Sequence, residues 1–235
     1  MMRQIGFSTG ALARGDFRLA LAILQRYNIR VVELSALRVE ELEPLVDAIP
    51  DLDLSEFTFV SVHAPSRFPT QDEAWVLRQL QRLADRGYPV IVHPDVIVDP
   101  RRWCVLGSQL LLENMDKRKP VGRTVQELSN YFAAMPAARF CFDIGHARQV
   151  DPSMTEATLL LHAFGDRLAE VHVSEVNTAS RHDPISFNAV SAFSPILACV
   201  PDDVPFILEP LIDRGQSDVQ TEFQRATDIG RGVLA

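Results

Sequence analysis

Six short segments each end an apolar run in a side chain that can hold a metal ion or move a proton. SVHAP supplies His63, VIVHPD supplies His93, LLLENM supplies Glu113, FDIGH supplies Asp143 and His146, EVHVSE supplies His172, and ILEP supplies Glu209. A lone histidine at the end of a strand is most often a hydrogen-bonded structural residue, and a lone aspartate before a glycine is most often turn chemistry. His162, inside a helical pattern, belongs to that ordinary class. Six successive run-ends carrying such groups are a different matter, because carboxylates are rarely buried unless they are paired or metal-bound. Bringing Glu113, Asp143 and Glu209 together costs roughly several kcal/mol in like-charge repulsion and desolvation unless a cation offsets it. A mixed histidine and carboxylate set suits a divalent transition metal, zinc or manganese first and then iron or cobalt, better than calcium or magnesium.

The elements that would position these residues are legible in the alternation of the chain. Eight strand patterns occur at 4–8, 31–35, 58–63, 89–93, 109–114, 139–143, 169–174 and 205–209. They are continuous apolar runs, as expected of parallel strands buried on both faces. Helical patterns lie between them at 17–28, 39–49, 72–87, 124–136, 155–167, 188–200 and 218–234, with a shorter connection at 99–107. Gly87 is the expected C-cap of the third helix. Thr124, with Glu127 three residues on, forms a capping-box pattern, and Thr155 opens its helix in a weaker version of it. Eightfold strand–helix alternation predicts a (β/α)8 TIM barrel of the α/β class, one domain over residues 1–235. An open doubly wound sheet is the rival. The first turn, STGALARG, carries neither GxGxxG nor GxxxxGK[ST]. In a barrel, function sits at the C-terminal strand ends, which is where every one of the six groups falls.

The 235 residues are 47% hydrophobic, enough for one large core. There are 31 acidic and 23 basic residues, a net charge of −8, so a nucleic acid is a poor partner. Three cysteines without a CxxC pair fit a reducing compartment. Neither a signal-peptide apolar region nor a membrane-length apolar window occurs, and a cytoplasmic location with no membrane partner is expected.

The loop VNTASRHDPIS adds Arg181 and His182, either as a further ligand with a substrate contact or as a solvated loop. Other strand–helix loops carry Arg67, the run Lys117-Arg118-Lys119, Arg123, Arg148 and Arg214, a set that fits an anionic substrate. Asp95, Asp116, Asp151, Glu175 and Asp183 share those loops.

The six segments, in this order, resemble the xylose isomerase-like TIM barrel superfamily, which contains sugar phosphate isomerases and epimerases and the endonuclease IV type of nuclease. The resemblance implies a shared metal site of Glu113, Asp143, His172 and Glu209. In the epimerase branch it implies that Glu113 and Glu209 are the catalytic pair, one removing a proton beside a carbonyl and the other returning it through an enediolate, with His146 holding a substrate oxygen. In the nuclease branch, which binds three zinc ions, His63, His93, His146 and His182 are matched as further ligands. The branch's Asp-x-His motif is here Ser180-Arg181-His182, one carboxylate short.

The expected function is therefore a metal-dependent isomerase or epimerase of a small sugar, sugar phosphate or polyol, with a zinc-dependent phosphoester hydrolase as the alternative and a non-catalytic sugar- or metal-binding barrel as a third reading. Substrate contacts are expected from His146, Arg181 and His182, the partner is a small carbohydrate-like molecule, and the resemblance implies a homodimer.

Overall fold

A computed structural model describes residues 3–212 and 218–231. Eight parallel strands close into a barrel in the order β1 (Ile5–Ser8), β10 (Phe206–Leu208), β7 (Leu168–Val173), β6 (Arg139–Asp143), β5 (Leu110–Glu113), β4 (Val90–Val92), β3 (Phe59–His63) and β2 (Val31–Ser35). The two remaining strands, β8 (Glu175–Val176) and β9 (His182–Asp183), form an antiparallel hairpin over the mouth. Each barrel strand lies within a residue or so of its expected place, and continuous apolar runs are buried on both faces because helices cover the outside.

The outer layer contains α2 (Phe17–Arg26), α3 (Val39–Ala48), α4 (Glu73–Ala84), α6 (Val125–Ala134), α8 (Thr155–Phe164), α9 (Phe187–Leu197) and α10 (Val219–Gly230). The connection after β4 holds only α5 (Pro100–Trp103) and two 3-10 stretches, Pro94–Val96 and Cys104–Gln109. It is pinned by the buried Glu73, whose Oε1 accepts from Trp103 Nε1 at 2.9 Å and Val98 N at 2.7 Å. Thr124 caps α6 as expected, accepting from Glu127 N. Two expected caps differ. Thr155 is the first helical residue of α8, preceded by Met154 at φ 63, and the orphan amide of Glu156 is satisfied by Asp151 instead. α4 ends at Ala84, so Gly87, at φ 86, sits in the turn beyond the cap. The end of the 218–234 helical pattern and Arg214 lie outside the described residues.

Two short helices were not expected. α1 (Thr9–Ala13) follows β1 directly, and α7 (Ile144–Val150) follows β6 without a loop. Both are too short to show a helical period in sequence. α7 depends on Gly145, where a Cβ would stand 2.4 Å from Ser174 O, so only glycine lets its first turn pack against the end of β7.

Inward-facing residues alternate along each strand and stack in layers. The mouth layer holds His63, His93, Glu113, Asp143, His172 and Glu209. The layer beneath is split. Ile91, Leu111 and Cys141 form one apolar side, while Glu33, Ser61 and Glu170 form a buried polar side.

Candidate metal centre at the barrel mouth

All the strand-end residues converge. Glu113 is central and divides its two carboxylate oxygens. Oε2 lies 3.2 Å from His63 Nε2 and 3.1 Å from His93 Nε2. Oε1 lies 3.2 Å from His146 Nδ1 and 3.5 Å from His172 Nδ1. His172 Nδ1 is in turn 3.5 Å from Glu209 Oε2, which is 3.4 Å from His182 Nδ1. The ligand atoms at the mouth fall into overlapping groups, each within 4.8 Å: His63–His93–Glu113, Glu113–Asp143–His172–Glu209, and Asp143–His146–His182; a fourth group, Cys141–Glu170–His172, lies beneath them.

The local sequence explains how the side chains are presented. Asp143 is both the last residue of β6 and the N-cap of α7, with Oδ1 accepting from His146 N at 2.7 Å. One oxygen is spent on the cap and Oδ2 is left facing the centre. Helical spacing then brings His146 to the same side, three residues on. Asn114 locks this arrangement. Its Nδ2 donates to Asp143 O at 2.7 Å and its Oδ1 accepts from Asp143 N at 2.8 Å, joining the ends of β5 and β6.

Each imidazole has one nitrogen engaged by the protein. A carbonyl only accepts, so His63 Nδ1 carries the proton that goes to Ala64 O at 2.7 Å, and Nε2, 3.2 Å from Glu113 Oε2, is the nitrogen that faces the centre. In His146 the nitrogen that faces Glu113 Oε1, Nδ1, is also the one that donates to Asn114 O at 3.0 Å, so Nε2 is the nitrogen left free. His182 Nδ1 meets Ser174 Oγ at 2.8 Å. His172 is held the other way round, by Nε2, at 3.1 Å from both Glu33 and Glu170.

The electrostatics are those of ligands without their counter-charge. Burial pushes Glu209 up to about 8 and Asp143 up to about 6, with Glu113 adding to both. Glu113 is itself driven upward by burial, but His93, His172 and His146 outweigh it and hold it well below the carboxylate range. Burial also opposes charge on His63 and His146, yet the surrounding carboxylates lift them to about 9 and about 10. His182, half-buried beside His146, is lowered by burial and by the neighbouring histidines to about 3. Asp143 Oδ2, His172 Nδ1 and Glu209 Oε2 are buried atoms without a hydrogen-bond partner. Orphaned polar atoms are costly, and these three belong to one four-residue group. The donor set, three carboxylates and imidazoles with fixed tautomers, fits a divalent transition metal.

A cavity of about 910 Å³ opens above the centre. Arg67, Arg118, Lys119 and Arg181 line it, as do His182 and Asp116. Lys119 is paired with Asp95 at 2.8 Å. Arg118 donates to the carbonyl of Ala179. Arg123 and Arg148 are instead paired with Glu127 and Glu175. Ser180, where the resemblance calls for a carboxylate, donates from Oγ to Asp116 Oδ1 at 2.6 Å. His162 is exposed on α8, as its ordinary reading requires.

Three residues escaped the sequence reading. Asn114 stands beside Glu113 in LLLENM, whereas Glu33 and Glu170 sit inside strands, two residues before Ser35 and His172. The available signal was the charge itself: a glutamate within a run otherwise apolar on both sides.

Fold and centre define a (β/α)8 barrel with a histidine–carboxylate cluster at its C-terminal mouth. Solved structures share the barrel over nearly their whole lengths. Endonuclease IV from Thermus thermophilus is 18% identical with TM-score 0.59, covering 97% of this chain and 98% of its own. A protein from Anabaena variabilis assigned as a sugar phosphate isomerase/epimerase is 14% identical with TM-score 0.58, covering 98% and 100%. A xylose isomerase-like TIM barrel protein from Mycobacterium smegmatis, in complex with magnesium, is 14% identical with TM-score 0.62, covering 99% and 98%. The expected (β/α)8 barrel is thus the fold observed, and at these identities the likeness is one of fold. No protein-family model matches the chain, and no curated protein matches it in sequence.

Proposed function

We propose that the protein is a divalent-metal enzyme whose centre takes at least two ions with Glu113 between them, and that it hydrolyses a phosphoester of a small, sugar-like molecule. The observation that carries this reading is the division of the Glu113 carboxylate, Oε2 toward His63 and His93 and Oε1 toward His146 and His172. A single ion held by Glu113, Asp143, His172 and Glu209 leaves His63 and His93 outside its ligands.

His63, His93 and Glu113 would hold one ion, and Glu113, Asp143, His172 and Glu209 another. Asp143, His146 and His182 form a third group, with Ser180 in place of a further carboxylate. Bound ions would activate a water as nucleophile and neutralise the phosphoryl oxygens. The chain's own residues do the rest. Asn114 and the Asp143 cap fix the ligands before substrate arrives, which is the preorganisation such sites require. Arg67, Arg118 and Arg181 present charge at the rim to an anionic group. The cavity suits a small molecule rather than a macromolecule. The reading carries with it zinc or manganese before iron or cobalt, and a cytoplasmic setting.

A second reading keeps the isomerase or epimerase chemistry. It is favoured by the placement of two carboxylates in one group, Glu113 and Glu209, each 3.5 Å from His172 Nδ1, a pair able to take a proton from a substrate and return it. A paired assay separates the two. Zinc- and manganese-loaded protein is given a panel of sugar phosphates, and both inorganic phosphate release and exchange of solvent deuterium into the sugar are followed. Phosphate release supports hydrolysis. Deuterium exchange without phosphate release would overturn it in favour of proton transfer.

A further inference from the structure

Beneath the ligands at the mouth, two glutamates outside the three mouth groups close on one imidazole nitrogen; one of them, Glu170, also lies within 4.8 Å of Cys141 and His172 in a buried group of its own. Glu33 Oε2 and Glu170 Oε1 each lie 3.1 Å from His172 Nε2. Both glutamates are completely buried. They come from strands that are not neighbours, since β2 and β7 are separated by β1 and β10 in the closed order, so the contact crosses the barrel interior. Serines support them: Ser35 Oγ donates to Glu33 Oε1 at 3.3 Å, and Ser61 Oγ donates to Glu170 Oε1 at 3.2 Å.

A structural role does not account for this arrangement. One N–H cannot satisfy two carboxylates, and Glu33 Oε2 and Glu170 Oε2 are left without a hydrogen-bond partner. Barrel interiors are filled by bulky branched side chains at such positions, and those would pack there without unpaired charge. What two carboxylates do accomplish is to place the His172 proton on Nε2. That leaves the Nδ1 lone pair, itself without a partner, aimed between Glu113 and Glu209 at 3.5 Å from each. A cation on the Nδ1 side would also offset the negative charge collected on the Nε2 side.

We infer that Glu33 and Glu170 are positioning residues for the metal centre, which clamp Nε2 of His172 so that Nδ1 is presented to the cation. The inference rests on the metal reading of the site, whichever reaction the metal serves. It accounts for two buried charges that the ligand groups at the mouth leave unused. Carboxylate partners of a ligating histidine fix its tautomer and strengthen its donor nitrogen, and their loss typically lowers metal affinity about 10–100-fold.

The test uses the full chain and Co²⁺ alone as probe. Affinity is measured by competition with a chelating dye, the visible ligand-field spectrum is recorded, and the melting temperature is taken with and without metal. Glu33→Gln and Glu170→Gln are each expected to weaken Co²⁺ binding about 10–100-fold and to change the spectrum. Their metal-free melting temperatures are expected to be no lower than that of the original chain, because a buried charge has been removed. Unchanged affinity and spectrum would overturn the inference, as would a fall in metal-free stability with affinity intact. If a Gln variant does not fold, Glu33→Asp or Glu170→Asp replaces it, keeping the carboxylate but withdrawing it from Nε2. Weakened binding then supports the clamp and unchanged binding overturns it. An original chain that takes up no Co²⁺ overturns the metal reading itself, an outcome distinct from normal uptake by chain and variants alike.

Discussion

Glu113 Oε2 stands 3.1 Å from His93 Nε2, across the ends of the adjacent strands β5 and β4. The pair joins one half of the centre to the other, because the second oxygen of the same carboxylate serves His146 and His172. His93→Ala should therefore remove one ion while sparing the group built on Asp143, His172 and Glu209. Bound zinc, measured by elemental analysis, is expected to fall by one equivalent, and phosphoester turnover by about 100-fold or more. Full retention of metal would place His93 outside the ligand set.

The metal-free protein should lose stability as pH rises above neutrality. Folding lifts His63 to about 9 and His146 to about 10 from 6.5, so their contribution is complete below about 6.5 and is lost through 9–10. Glu209, raised to about 8, acts in the same direction, since its folded state holds a proton that the unfolded state has released above 4.5. His182 acts oppositely, weakening the fold as pH falls from 6.5 toward 3. Zinc replaces the protons, so the zinc-induced rise in melting temperature is expected to be larger at pH 8.5 than at pH 6. Thermal melts at the two pH values check this, and an equal shift would contradict it.

Gly145→Ala is expected to destabilise the protein by about 1–3 kcal/mol. The added Cβ would meet Ser174 O at 2.4 Å, a backbone atom that cannot swing aside. The same push displaces α7 and with it His146, so denaturant titration and metal affinity should change together.

Ser180→Asp restores the carboxylate that the seventh loop lacks. Its neighbour is Asp116, at hydrogen-bonding distance from the present serine. Without metal the two carboxylates repel, and the melting temperature should drop. With excess zinc the loss should be recovered and an additional equivalent bound, alongside His146 and His182. A backbone φ of 55 at this position is one that aspartate tolerates.

Arg181→Ala should raise KM for a phosphorylated substrate about tenfold with little effect on kcat, because the arginine is exposed at the rim of the cavity and is itself no ligand. Steady-state kinetics at two salt concentrations check it.

Much of this architecture is legible in sequence, for identifiable reasons. Strands such as LLLE and FCFD are buried on both faces, so they stand out as unbroken apolar runs, and barrel topology sends their last residues to one mouth. That is why the strand-end groups from His63 to Glu209 read as one cluster in sequence, within which the resemblance singles out Glu113, Asp143, His172 and Glu209. α1 and α7 could not be seen, because five or seven residues span too few turns to show a period. The cap at α8 was misplaced because Asp151, four residues before Thr155, does the work expected of the threonine. Glu33 and Glu170 were missed because their role depends on a contact across the barrel between strands far apart in sequence, which no local pattern encodes. The rim arginines were visible as charges. Which of them face the cavity and which are tied to Glu127 and Glu175 depends on loop geometry.

The central claim is a multi-ion centre bridged by Glu113, and the most direct measurement is the number of zinc ions bound per chain after reconstitution and removal of excess metal. The account predicts two or three equivalents, reduced by at least one in Glu113→Gln. One equivalent in the original chain, unchanged in His63→Ala and His93→Ala, would contradict it.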